Sequence, residues 1–182
     1  MKRFHRTFLA ICTLFLASKK SNAQELSVVD SVDIQRYAGT WYEIARLPNR
    51  FQEDCAGNVT ATYCVLENGN LKVINRCQKA DGDSSEAEGI ARRSSLEEPN
   101  SKLKVRFAPS FLSFLPFVWG NYWIIDLAPD YRHAVIGEPN REYLWVLART
   151  PGLEERTLQE ILKRVKEHGY DLKKLIFTKQ TP

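Results

Sequence analysis

The side chains in this sequence with ready chemistry are few. They are the cysteines Cys12, Cys55, Cys64 and Cys77, the histidines His5, His133 and His168, and the acidic run Asp81, Asp83, Glu86. No G-x-S-x-G elbow, H-E-x-x-H pair, GxxxxGK[ST] loop or C-x-x-C couple occurs. His133 falls at a turn or strand start and His168 at a helix end, where an exposed or capping role is expected rather than metal ligation. Asp81, Asp83 and Glu86 form a polar turn without the glycine and spacing of a calcium loop. No catalytic residue, metal site or cofactor is therefore expected. Cys64 is the one candidate nucleophile, and it would need a cation beside it to hold a thiolate.

The elements that position these residues are mostly short strands. Asn68-Gly69 is a strong hairpin signal between Asn58–Glu67 and Leu71–Gln78. A two-residue loop there sets Leu66 opposite Leu71, Thr60 opposite Cys77 and Cys64 opposite Val73. Cys64 is then four residues out of register with Cys77, roughly 13 Å, which is too far for a bridge. Cys55 lies past the regular strand, where Gly57 can turn the chain back, so Cys55 with Cys77 is the expected disulfide. In this register Lys72 sits one position from Cys64 and on the other face, and Cys64 reads as a small buried residue.

Strands are also expected at Trp41–Leu47, Ser85–Arg93, Lys102–Phe107, Asn121–Leu127, Arg132–Gly137 and Glu142–Arg149. Lys102, Lys104 and Arg106 alternate with Leu103, Val105 and Phe107, the clearest half-buried pattern in the chain. Eight strands with short loops indicate an antiparallel up-and-down barrel or a sandwich. From Leu153 to His168 the period changes: Leu158, Ile161, Leu162 and Val165 recur at helical spacing before Gly169. One amphipathic helix must lay this stripe on something apolar, and Lys173–Thr178 reads as a short closing strand.

At 182 residues and 43% hydrophobic content the chain is long and apolar enough for one domain with a core. Disorder and a polytopic membrane protein are excluded. The formal charge of +4 invites a nucleic-acid partner. However, Lys2, Arg3 and Arg6 precede an apolar run from Phe8 to Ala17, with small residues Ser21 and Ala23 beyond it. This is the order of a secretory signal over residues 1–23, cut after Ala23 or alternatively after Ala17. Its removal takes away five basic and no acidic side chains, leaving 21 against 22 and a net charge of −1 over residues 24–182. No nucleic-acid partner is expected. Cys12 lies inside the apolar run, so lipidation is not expected.

Gly39-Thr40-Trp41-Tyr42-Glu43, entered from Tyr37, resembles the first motif of the lipocalin family. Asp130-Tyr131-Arg132-His133-Ala134-Val135-Ile136 resembles the second, and Arg149 in Leu-Trp-Val-Leu-Ala-Arg-Thr-Pro the third. The likeness runs from about Val32 to Phe177 and is nearest the bacterial branch, with the apolipoprotein D group next. It implies an all-β fold: an eight-stranded antiparallel barrel, closed at one end, with the C-terminal helix packed outside. It also implies that Arg149 lies over Trp41 at the closed end, a contact worth on the order of 1 kcal/mol, with Gly39, Asp130 and Tyr131 structural. By the two-residue period Tyr143, Trp145 and Leu147 share one face with Arg149. Trp145 is the first candidate for a pocket wall, with Tyr143 beside it, and similarity to apolipoprotein D-like pockets implies Tyr37, Tyr63, Phe107 and Trp123 as further candidates.

The ligand class implied by the resemblance is a fatty acid or lysophospholipid, and the location is the periplasm or outer membrane. The expected role is lipid storage or transport for the cell envelope. Since some lipocalins use a barrel thiol, Cys64 chemistry is the enzyme alternative. The segment Pro109–Gly120 carries Phe111, Leu112, Phe114, Leu115, Phe117, Val118 and Trp119, which a solvated loop does not. Either it folds over its own barrel wall, or it borders the open mouth and meets ligand tails, a membrane or a second copy. A module that docks on membrane or forms a homodimer through this loop is the other alternative.

Overall fold

The computed structural model describes residues 25–181; the expected signal segment, Cys12 included, lies outside the described residues. A single helical turn, Ile34–Tyr37 (α1), is capped by Asp33, whose carboxylate accepts from the backbone N–H groups of Gln35 and Arg36. The strands Gly39–Arg46 (β1), Cys55–Val65 (β2), Leu71–Lys79 (β3) and Ser84–Arg93 (β4) follow. Lys102–Arg106 (β5), Gly120–Leu127 (β6), His133–Gly137 (β7) and Leu144–Ala148 (β8) continue in chain order. Each pairs antiparallel with the next, and β8 returns to β1, closing an eight-stranded barrel. The helix Glu155–Glu167 (α2) and a two-residue strand, Ile176–Phe177 (β9), complete the chain.

The barrel is apolar on both faces, and strand pairing sorts the two. Trp41, Tyr63, Leu71, Val73, Ala91, Leu103, Tyr122, Ile124, Ile136 and Leu147 converge inside. On the opposite face Ile44, Ala45, Ile125, Val135, Leu144, Val146 and Ala148 receive Leu158, Ile161 and Val165 of α2. Each of these three helix side chains contributes roughly 1.5–3 kcal/mol on burial, and Arg164 ties the same helix to Asp126 at 2.7 Å. Beyond the helix, the Tyr170 hydroxyl accepts from the Glu138 N–H and faces the Glu138 carbonyl. A Cβ at Gly137 would lie 2.2 Å from that hydroxyl, so only glycine lets the tyrosine seat against β7.

Two irregularities set what faces where. β1 shifts register between Glu43 and Ala45, which puts Trp41, Glu43 and Arg46 on the inner face and Ile44 and Ala45 under the helix. Where β1 leaves β2, β9 pairs with Ala45 and Arg46, and the Lys179 carbonyl accepts from the Asn58 N–H. The second irregularity corrects the expected hairpin. Glu67, Asn68 and Gly69 form a three-residue loop, with Gly69 at φ 78° and its N–H donating to Leu66. The one added residue moves the register by one, so Cys64 pairs with Lys72, Tyr63 with Val73, and Thr60 with Arg76.

Cys64 is consequently exposed, not buried, and Lys72 lies directly opposite it on the same face. Cys55 and Cys77 form a disulfide, with Cα atoms 5.6 Å apart across a sequence separation of 22. Replacing both by serine is expected to lower the unfolding free energy by about 3 kcal/mol, because the unfolded chain then regains the closed loop's entropy. Urea denaturation of the two forms checks this, and coincident midpoints would refute it.

Candidate functional site

The closed end of the barrel is built around Trp41, which is fully buried. The Arg149 guanidinium lies 3.8 Å from the centroid of its ring. Its nitrogens donate to the carbonyl oxygens of Thr40, Arg36, Tyr37 and Ala38 at 2.7–3.1 Å, and Nε reaches that of Tyr131 at 3.4 Å. Trp41 Nε1 in turn donates to the Tyr37 carbonyl at 2.8 Å. Gly39 sits at φ 95°, and a Cβ there would lie 3.3 Å from Arg149 Nη1. Tyr131 is held by Asp33, whose N–H donates to its hydroxyl, and by Arg36 stacked 4.1 Å over its ring. Asp130, at the surface, is paired with Arg132, which holds its carboxyl below the usual carboxylate range.

Above this plug three phenols meet. The Tyr122 hydroxyl is 2.7 Å from that of Tyr37 and 2.8 Å from that of Tyr63. Burial pushes Tyr63 up to about 12 and lifts Tyr37 and Tyr122 well above the ordinary phenol value. Higher still the inward positions become small. Ala61, Asn75 and Ala87 form one cross-strand row, and Gly89 and Gly120 lie on the inner faces of β4 and β6. At Gly120 an added Cβ would meet only Val105, at 3.9 Å, whereas the place beside Gly89 is taken by the Phe107 ring and the Arg106 carbonyl.

At the other end of the barrel Glu43 and Arg46 form a buried ion pair at 2.8 Å. Gln52, from the loop between β1 and β2, donates to Glu43 at 2.6 Å and accepts from Trp145 Nε1 and Asn49, both at 2.8 Å. The loop thus bends over the mouth and is fastened to the lumen wall by one side chain. A depression of about 310 Å³ lies beside it, lined by Arg46, Pro48, Asn49, Arg50, Gln52, Glu53 and Ile176.

Of the expected pocket residues, Tyr37 and Tyr63 lie on the floor, and Trp145 faces inward near the mouth. Tyr143 precedes β8 and stacks on Trp145, ring centroids 6.0 Å apart. Phe107 is 42% exposed at the rim, its ring placed where a side chain on Gly89 would stand. Trp123 does not join them. It pairs with Lys102, whose ammonium lies 4.4 Å over its ring, and it packs toward the helix cluster on the outer wall. Tyr122, one residue earlier, takes the inner position instead. The run Tyr122 to Ile125 is apolar throughout, so its period carries no phase. Glu43 and Arg46 were also missed, although Trp41 as an inward residue implies Glu43 two positions on.

The 109–120 loop makes single 3-10 turns at Ser110–Leu112 and Pro116–Val118, and Trp119 Nε1 donates to the Ser113 carbonyl. It does not fold its phenylalanines onto the barrel wall: Phe111, Phe114 and Phe117 are 72%, 76% and 80% exposed. Trp119 instead meets two guanidinium groups over its ring, Arg92 at 4.1 Å and Arg106 at 5.2 Å.

A lipocalin-like domain matches residues 32–180. Temperature-induced lipocalin-1 of Arabidopsis thaliana is 40% identical over 159 residues, covering 87% of this chain and 84% of that protein. The outer membrane lipoprotein Blc of Escherichia coli K12 is 40% identical over 156 residues, covering 85% and 83%. Mouse apolipoprotein D is 32% identical over 162 residues, covering 84% and 79%. Among solved structures, insecticyanin of Manduca sexta superimposes with a TM-score of 0.64 at 20% identity, covering 87% of this chain and 86% of that one. Lobster apocrustacyanin A1 gives 0.64 at 16% identity, covering 82% and 81%. Identities this low carry the fold alone.

The tyrosine cluster gives a pH prediction. Phenols with folded values above the unfolded 10 contribute stability that is complete below pH 10 and is lost as pH rises toward 12. The tyrosinate absorbance of these three side chains is expected to appear together with unfolding in that window. Their titration at pH 10 in a protein that stays folded would refute it.

Proposed function

This chain belongs to the lipocalin-like domain family, a family of binding barrels, and from that premise we propose that it is an exported carrier of an apolar ligand. The observation that carries this reading is the graded interior. Trp41 and three tyrosines close the bottom, small residues follow above them, and Trp145, Tyr143 and Phe107 stand near the rim. An eight-stranded barrel so lined has room for one small molecule. Each methylene taken from water contributes about 0.8 kcal/mol, so an acyl chain binds without many polar contacts. A fatty acid or lysophospholipid is the proposed guest, stored or moved for maintenance of the cell envelope.

Export rests on the signal-like segment 1–23 and on the bacterial relatives, which are named outer membrane lipoproteins. We place this chain in the periplasm or at the outer membrane, without an acyl anchor of its own. No step of chemistry is assigned to it. Cys64 stands on the outer face of the β2–β3 hairpin, away from the lumen, which speaks against a thiol that acts on a bound ligand.

Native mass spectrometry of the protein after mild extraction tests the carrier. The expected result is a monomer carrying one acyl lipid per chain. An empty protein that takes up neither fatty acid nor lysophospholipid would overturn it.

A second reading is favoured by the exposure of Phe111, Phe114 and Phe117 on one loop at the open end. Through them the barrel would rest on a bilayer while it loads or releases its ligand. Replacing the three by serine is expected to abolish sedimentation with lipid vesicles while leaving ligand binding in solution unchanged. Equal sedimentation of the two forms would refute this reading.

A further inference from the structure

The phenols on the floor of the lumen carry more protons than there are hydrogen bonds to use them. A phenol carries one proton, so Tyr37, Tyr63 and Tyr122 bring three. Two hydrogen bonds join them, both through the Tyr122 oxygen, and no other partner meets any of the three hydroxyls among the described residues. However the two bonds are oriented, one O–H is left with nothing to donate to. An unmet buried donor of this kind costs about 1–3 kcal/mol. Burial keeps all three phenols protonated at neutral pH, so the surplus is a permanent feature of the folded barrel.

The geometry says where the spare proton can be reached. Tyr122 is 9% exposed, whereas Tyr63 is 3% and Tyr37 fully buried. The next inward position of β6 is Gly120, where an added Cβ would meet only Val105, at 3.9 Å. Tyr122 is thus the least enclosed of the three side chains, on the strand that leads up to the open position at Gly120.

The charges say what can accept it. Arg149 is spent on Trp41 and on backbone carbonyls behind the indole, and Arg46 is paired with Glu43 near the mouth. Neither guanidinium is free to neutralise a carboxylate carried to the floor, and an unpaired buried carboxylate is far more costly than a neutral carbonyl.

We propose that the Tyr37–Tyr122–Tyr63 cluster is a subsite for an uncharged acceptor, a ketone, aldehyde or ester carbonyl, on the leading end of an apolar ligand. Such a ligand enters polar end first, whereas a fatty acid sits with its carboxylate toward the mouth. This rests on the reading of the lumen as the ligand site.

Two probes of equal length test it: dodecan-2-one, ¹³C-labelled at the carbonyl, and dodecanoate, each titrated into delipidated protein by tryptophan fluorescence. The triple variant Tyr37→Phe/Tyr63→Phe/Tyr122→Phe removes every donor. It is expected to weaken the ketone about five- to tenfold more than it weakens dodecanoate, the worth of one neutral hydrogen bond. Tyr63→Phe alone still holds two protons and one bond, so a spare donor remains and ketone affinity is expected to persist. The infrared carbonyl stretch of the bound ketone should lie below its value in hexane for wild type and Tyr63→Phe.

A wild-type stretch equal to that in hexane overturns the subsite even if the triple variant fails to fold. So does ketone affinity unchanged in a folded triple variant, the result expected if water satisfies the donor. Dodecanoate binding in either of those cases leaves the carrier reading standing. Binding of neither probe overturns both.

Discussion

The architecture depends on the contact between Arg149 and Trp41. Arg149 follows the last barrel strand and Trp41 stands near the start of the first, so one guanidinium joins the two ends of the sheet where the barrel must close. The same group donates to the carbonyl oxygens of residues 36, 37, 38 and 40, where the chain turns from helix to strand, and it shares that of Tyr37 with Trp41 Nε1. A neutral side chain would lose the cation–π contact, and lysine would lose the planar fork that reaches several carbonyls at once. The consequence is a cup: a barrel sealed below can hold an apolar molecule out of water, and an unsealed one could not.

With the bottom fixed, the remaining constraint is that both faces of the sheet must be covered. The helix covers one side of the wall, and the lumen contents cover the interior. The register shift in β1 reconciles the two demands on a single strand. Regular alternation after Trp41 and Glu43 would turn Ala45 inward and Arg46 outward under the helix. The shift sends Arg46 inside, beside Glu43, where their charges and the Gln52 amide satisfy one another. The buried pair and the loop over the mouth are thus outcomes of one extra residue in one strand.

Much of this was legible in the sequence because the signals were local. The motifs around Trp41, Asp130 and Arg149 fixed the family resemblance, and the change from period two to period 3.6 at Leu153 marked the helix. What was not legible depended on phase. Asn68-Gly69 announced a hairpin but not whether its loop had two residues or three, and that difference moved Cys64 from beside Val73 to beside Lys72. Tyr122 and Trp123 could not be told apart because both faces of β6 are buried and every residue from 122 to 125 is apolar. The phase was set by a partner strand: the alternation of β5 fixes Leu103 as inward, and Leu103 pairs with Tyr122. Pairing is non-local, and one sequence does not state it. Likewise the composition of Phe111–Trp119 showed a loop in need of contacts, while only the coordinates showed three phenylalanines turned to solvent.

The distribution of polar groups along the lumen explains how an apolar cup can still orient a guest. The middle of the lumen supplies affinity through area alone and is indifferent to direction. Orientation must therefore come from the ends. Near the mouth Arg46 is neutralised by Glu43, and Gln52 occupies the indole N–H of Trp145. A ligand head at that end exchanges water for a site with little left to offer, and it loses nothing by remaining solvated. At the floor, three phenols share two hydrogen bonds in a place where water is scarce. A single acceptor is worth more there than at the rim, because the alternative is an unmet donor rather than a solvated one. The two ends of the cup thus sort ligands by the charge of their polar group.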